Sequence, residues 1–178
     1  MRGGGPAGSG DGERDVQGEQ LIAVVEALQA SAVRVWVGGG WGIDALLGAR
    51  TRPHRDADLM HDVRDEPVLL AVLGAAGFVQ TLDQRPVRFV LAHPDGRELD
   101  LHPLEFAPDG SAVQRSFDPD RPFPYPADCF VTGLVLGVPV PCLSAAQQVF
   151  FHQGYEPADR DRADMAHLRR AFGIATHF

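Results

Sequence analysis

The 178-residue sequence predicts an α+β (α/β) fold, a β-sheet with flanking helices and a small helical part at the C-terminal end. Three segments, 20–30, 65–76 and 158–172, read as amphipathic helices, and short β-prone runs lie between the first two and beyond them. An Asp95-Gly96 turn joins two such runs, which marks a hairpin. A run of three glycines, 38–40, passes the chain from a short strand to a compact apolar segment suited to a helix.

Residues 1–16 are glycine-rich with almost no apolar side chains, so they are expected to form a mobile tail. The core is expected over 17–143. It opens with a helix carrying Leu21, Val24, Val25 and Leu28 on one face. Val33, Val35, Trp36 and Val37 form a buried strand, residues 41–47 a short helix, and Gly48 its end. A strand follows at Asp56–Leu59, then the 65–76 helix and strands at 78–82, 87–93 and 97–102. Proline-rich residues 103–128 predict a long irregular excursion of the kind that carries substrate contacts. A hairpin over 129–143 closes the core. Residues 144–178 form a helical segment packed on it, with Ser144 as N-cap of its first helix.

Composition narrows the function. Sixteen basic against 24 acidic residues give a net charge of −8, which disfavours nucleic acid as a partner and suits a cationic small molecule. No apolar run is long enough to span a membrane and none at the N-terminus resembles a signal core, so a cytoplasmic protein is expected. Cys129 and Cys142 read as reduced core thiols.

The chemistry lies between Val37 and Leu59. A glycine turn ahead of a helix offers free N–H groups and a positive dipole end, suited to phosphate, with Gly39 and Gly40 placed to supply it. Asp56 and Asp58 alternate onto one face of a strand, where two carboxylates invite a cation, and Mg²⁺ is the natural one. The basic loop 50–55 reads either as a solvated surface or as phosphate contacts from Arg52, His54 or Arg55. Asp100 alternates with Leu99 and Leu101 on a later strand. It is either an exposed edge residue or a third carboxylate facing the first two, and His102 shares its face as a supporting group.

This pattern resembles the nucleotidyltransferase superfamily signature, Gly-Gly or Gly-Ser followed by Asp-x-Asp on the next strand. Gly-Gly-Trp-Gly-Ile-Asp with His-Arg-Asp-Ala-Asp-Leu is most similar to antibiotic nucleotidyltransferases, the lincosamide enzymes first and the aminoglycoside 2''-adenylyltransferases second. The similarity continues through Asp109-Gly110-Ser111 and the Gly154-Tyr155-Glu156 segment, covering about residues 20–172. Two departures are visible: Gly40 stands where the pattern often has serine, and the stretch from Gly40 to Asp56 is longer.

The resemblance implies a mixed, nucleotidyltransferase-like sheet and Mg²⁺-dependent transfer of a nucleoside monophosphate, AMP from ATP, to a drug hydroxyl. Asp56 and Asp58 would hold metal, Asp100 would act as general base or further ligand, and His54 and Arg55 would be the loop residues that meet phosphate. Tyr155 and Glu156, with His102, would face the acceptor; the acids Asp159, Asp161 and Asp164 read as a solvated helix face or as part of that wall. A homodimer sharing a drug pocket is the family expectation. The rival readings are an aminoglycoside or another acceptor, and a noncatalytic binding or antitoxin module.

Overall fold

The computed structural model describes residues 15–178, and the expected tail lies outside them except for its last two residues. Those two are held: Val16 is buried and its N–H donates to the His54 carbonyl at 2.8 Å, while Asp15 approaches Arg50 at 3.9 Å. The order of elements is α1 (Gly18–Ala30), β1 (Val35–Val37), α2 (Gly39–Leu47), β2 (Asp56–Asp62), α3 (Glu66–Ala75), β3 (Val79–Gln84), β4 (Arg88–Ala92), β5 (Glu98–Phe106), β6 (Ala112–Gln114), β7 (Phe123–Tyr125), β8 (Phe130–Val135), β9 (Val138–Leu143), α4 (Ala145–Phe151) and α5 (Asp159–Phe172).

The strands form one mixed sheet ordered β3-β4-β5-β2-β1-β9-β8, with β6 branching from β5 and β7 from β6. β2 with β5 and β1 with β9 run parallel; the remaining pairs are antiparallel. The alternation of buried residues explains the layering. Leu59, Leu99 and Leu101 join Leu21, Leu28, Leu69 and Leu73 of α1 and α3 in the main core. On the opposite face Met60, Leu104, Ala112, Tyr125 and Leu143 form a second cluster. A third, from Ile43, Val149, Met165 and Leu168, fastens α4 and α5 to α2. Ser144 caps α4 as expected, accepting from the Gln147 N–H at 3.3 Å. Both cysteines are free and buried, and burial pushes Cys129 up to about 12 and Cys142 up to about 11. Among the described residues no helix is long and apolar enough to cross a membrane.

Two segments differ from expectation. The α2 helix begins at Gly39 rather than at residue 41, because the glycines form its first turn, with Gly38 as N-cap. Residues 103–128 are not wholly irregular: β5 runs on to Phe106, and β6 and β7 add a short antiparallel pair. Proline hides strands of this kind in sequence. Here Pro124 sits at the far edge, where its missing N–H costs nothing in the ladder.

Candidate active site

Parallel pairing of β2 with β5 sets Asp58 directly beside Asp100, Asp56 beside Glu98, and Met60 beside His102. Partners in register share a face, so two carboxylates and an imidazole converge. His102 Nε2 lies 3.2 Å from Asp58 Oδ1 and 3.7 Å from Asp100 Oδ1, and the three ligand atoms fall within 4.8 Å of one another. Among the described residues this is the one such cluster. The three carboxylates expected from sequence do not form it together: Asp56 stands at the exposed start of β2, and His102 takes its place. Asp100 Oδ1 is buried and lacks a hydrogen-bond partner, as a carboxylate oxygen reserved for a cation would be. Hard oxygen donors with one unclaimed fit a divalent cation such as Mg²⁺.

Crowding shapes the acids. Burial, then the Asp58 charge, raise the pKa of Asp100 above the ordinary carboxylate value, although His102 and Arg88 pull it down. Asp56 is also raised, by desolvation first and then by Asp58 and Glu98, with Arg55 and Arg160 opposing. Arg88 of β4 forms an ion pair with Asp100 Oδ2 and donates to Gln84 Oε1 at 3.1 Å. The sequence reading missed Arg88. Its signal was the Asp-Gly hairpin, whose register puts Val90 opposite Asp100 and therefore Arg88 on the same face two residues along.

The glycine run serves this face. Gly38 N–H donates to the Asp58 carbonyl at 2.9 Å. Gly39 has φ +54°, and a side chain there would overlap the Asp58 carboxylate, so glycine is required twice over. A side chain at Gly40 would run into His54 Nδ1 and the Arg52 guanidinium.

His54 therefore does not lie open to phosphate as expected. It is buried, with Nε2 donating to Asp44 Oδ2 at 2.5 Å and its ring 4.7 Å from Trp41. Asp44, buried on α2, also accepts from Thr51 through N–H at 3.1 Å and Oγ1 at 2.6 Å. Asp44 thus anchors the loop 50–55, a role the sequence reading did not assign. Arg52 likewise turns away, onto Asp164 of α5, at 2.8 Å from Nη2 to Oδ2 and 3.2 Å from Nε. Asp164 is 1% exposed and so departs from the solvated face read for the α5 acids, while Asp159 is exposed as that reading has it. Arg55 is exposed and close enough to Asp56 to favour its ionised form.

The acceptor candidates divide. Tyr155 is exposed beside the Phe178 ring at 6.2 Å, and Glu156 is exposed and paired with Arg162 at 3.1 Å. The structure brings neither into the carboxylate cluster. His102 is in it, and behind His102 stands Gln114 of β6, whose Nε2 lies 3.1 Å from His102 Nδ1 and donates to the Val87 carbonyl at 2.7 Å. Gln114 Oε1 accepts from the buried Tyr125 hydroxyl at 2.8 Å. Nothing in the proline-rich segment signalled Gln114 or Tyr125.

Comparisons with known proteins follow the same outline. The profile of the aminoglycoside-2''-adenylyltransferase family matches residues 20–168. A lincosamide resistance protein of Staphylococcus haemolyticus is 28% identical over 87% of this chain and 96% of its own length. A 2''-aminoglycoside nucleotidyltransferase of Escherichia coli is 30% identical over 70% of this chain and 68% of its own. Among solved structures, the lincosamide antibiotic adenylyltransferase LnuA with lincomycin bound superposes with a TM-score of 0.79 at 29% identity, covering 87% of this chain and 98% of LnuA. ANT(2'')-Ia in complex with adenylyl-2''-tobramycin shares the fold, with a TM-score of 0.69 at 21% identity over 88% of this chain and 89% of its own.

Proposed function

The chain belongs to the aminoglycoside-2''-adenylyltransferase family of antibiotic nucleotidyltransferases, and from that premise we propose that it transfers AMP from ATP to a hydroxyl of a lincosamide antibiotic, with Mg²⁺, in the cytoplasm. The observation that carries the reading is the in-register pair of Asp58 and Asp100, with an unclaimed carboxylate oxygen and the N-terminus of α2 beside it.

The drug hydroxyl oxygen attacks the α-phosphorus of ATP, an O–P bond forms, the bond to the β-phosphate bridging oxygen breaks, and pyrophosphate leaves. Asp100 receives the hydroxyl proton; its raised pKa brings it nearer to neutral operating conditions than an ordinary aspartate. Asp58 and the unclaimed Oδ1 of Asp100, with Asp56 at the mouth, would hold Mg²⁺, which would supply positive charge against the phosphates when bound. The first-turn amides of α2 at Gly39 and Gly40 would face the β- and γ-phosphates, and Arg55 would add charge from the loop. Tyr155 and Glu156 are proposed on the acceptor side, an aromatic face and an anion for a basic amine.

Similarity across nearly the full length of the lincosamide relatives supports that acceptor. An aminoglycoside is the second reading, favoured by the family profile and by the net charge of −8. Mass spectrometry of lincomycin, clindamycin and tobramycin after incubation with protein, ATP and Mg²⁺ separates them. One adenylate mass on a lincosamide is expected, and adenylation of tobramycin alone would move the assignment to the second reading. No modified drug from active-folded protein would overturn both.

A further inference from the structure

The Gln114 side chain can face His102 in one way only. Its Nε2 is 2.7 Å from the Val87 carbonyl and its Oε1 is 2.8 Å from the Tyr125 hydroxyl. Turning the amide over would set oxygen against oxygen at Val87, so that carbonyl decides which end of the amide is presented. Nε2 carries two hydrogens; one goes to Val87 and the other points at His102 Nδ1, 3.1 Å away. In this arrangement Nδ1 accepts, and the ring proton sits on Nε2, 3.2 Å from Asp58 Oδ1.

That assignment matters because Asp58, Asp100 and His102 have the spacing of a three-ligand metal site. A nitrogen that carries a proton has no lone pair for a cation. Against the pull of burial, the Asp58 hydrogen bond and the Asp58 and Asp100 charges raise the His102 pKa, yet a proton on Nδ1 would meet the Gln114 N–H head-on at 3.1 Å. We propose that Gln114, clamped by Val87 and Tyr125, is a positioning residue that sets His102 as the Nε2–H tautomer, so that His102 orients the Asp58 carboxylate as a hydrogen-bond donor and leaves the cation to the carboxylates. Tyr125 holds Gln114 from behind. The inference rests on the proposed reaction only for what the carboxylates bind; the arrangement of protons stands apart from it.

The test is long-range ¹H–¹⁵N correlation NMR of the imidazoles in the whole, uniformly labelled protein at neutral pH, with the His102 signals identified by their loss in His102→Gln. The expected pattern is an unprotonated Nδ1 and a protonated Nε2, unchanged when Mg²⁺ alone is added. A proton on Nδ1, whether alone or with Nε2 also protonated, would overturn the proposal, as would loss of the Nε2 proton on adding Mg²⁺. In Gln114→Leu the same signals should show both tautomers, and the Mg²⁺ concentration for half-maximal binding should rise roughly tenfold, at the lower end of what outer partners of a metal site carry. Tyr125→Phe keeps the Val87 anchor and should do less. Because the spectrum of the unaltered protein needs neither drug nor ATP, an inactive preparation with the expected spectrum would count against the proposed reaction and leave this inference intact.

Discussion

Asp58 and Asp100 stand side by side on parallel strands β2 and β5, in register, on the face opposite the leucines that flank Asp100. Burial and the neighbouring Asp58 charge raise the cost of ionising Asp100, and the fold sets His102 against Asp58 and Arg88 against Asp100. The sheet therefore holds acid groups where a sheet interior disfavours them, and keeps one Asp100 oxygen free.

Asp100→Asn should lower kcat by about 10²–10⁴-fold, the usual worth of a positioned proton acceptor, with the fold intact. The stability effect has a sign. The folded-state pKa of Asp100 is raised, so its contribution to stability is fully present below the unfolded value and is lost as pH rises through the folded one. At neutral pH the ionised side chain works against the fold, and the asparagine variant, measured with chelator, should melt no lower than the wild type. That advantage should fade toward acid pH. Turnover near wild type would remove Asp100 from the reaction.

Arg88 draws protons away from Asp100, so Arg88→Met should push the Asp100 pKa higher still. The acid limb of kcat/KM should then move to higher pH, while the rate on the alkaline side changes less. A profile that stays in place would mean that the acid limb belongs to another group.

How much of this was readable beforehand follows physical lines. Alternation placed Leu99 and Leu101 in the core and Asp100 with His102 on the other face, because period-two patterning is local. The neighbourhood of β2 and β5 came instead from resemblance, since parallel pairing joins segments far apart in sequence and leaves no local mark. The loop 50–55 misled for a different reason. His54 and Arg52 look like surface charges until Asp44 and Asp164 are known to be buried beside them, and nothing near Asp164 in sequence distinguishes it from Asp159 and Asp161 on the same helix. The β6–β7 pair was hidden by its prolines, and with it Gln114 and Tyr125.

Gly39→Ala tests the contact between α2 and Asp58. Alanine in the left-handed region costs roughly 1–2 kcal/mol, a loss of a few degrees in Tm, and its methyl must displace the Asp58 carboxylate. Activity should fall by about 10²-fold, as a misplacement of about 1 Å in a site can cause. Gly48→Ala is the control: its φ of +68° imposes the same backbone strain, and nothing lies within 4 Å of the added methyl. Equal activity losses in the two variants would show that strain, and not the carboxylate, is responsible.

His54 and Arg55 are neighbours in sequence with opposite surroundings, and they separate a structural role from a phosphate-binding one. His54 is buried against Asp44, so His54→Ala leaves a buried carboxylate supported by Thr51 alone. Breaking a buried pair costs about 3–5 kcal/mol, which corresponds to a drop in Tm on the order of 10 °C for a chain of this size. Arg55 is exposed, and Arg55→Ala should change stability by no more than about 0.5 kcal/mol. If Arg55 meets the triphosphate, its loss should raise the KM for ATP with Tm unchanged. Thermal melts and ATP saturation curves on both variants decide the matter. A His54→Ala protein that melts like the wild type but binds ATP poorly would return His54 to the phosphate site and make its burial beside Asp44 incidental.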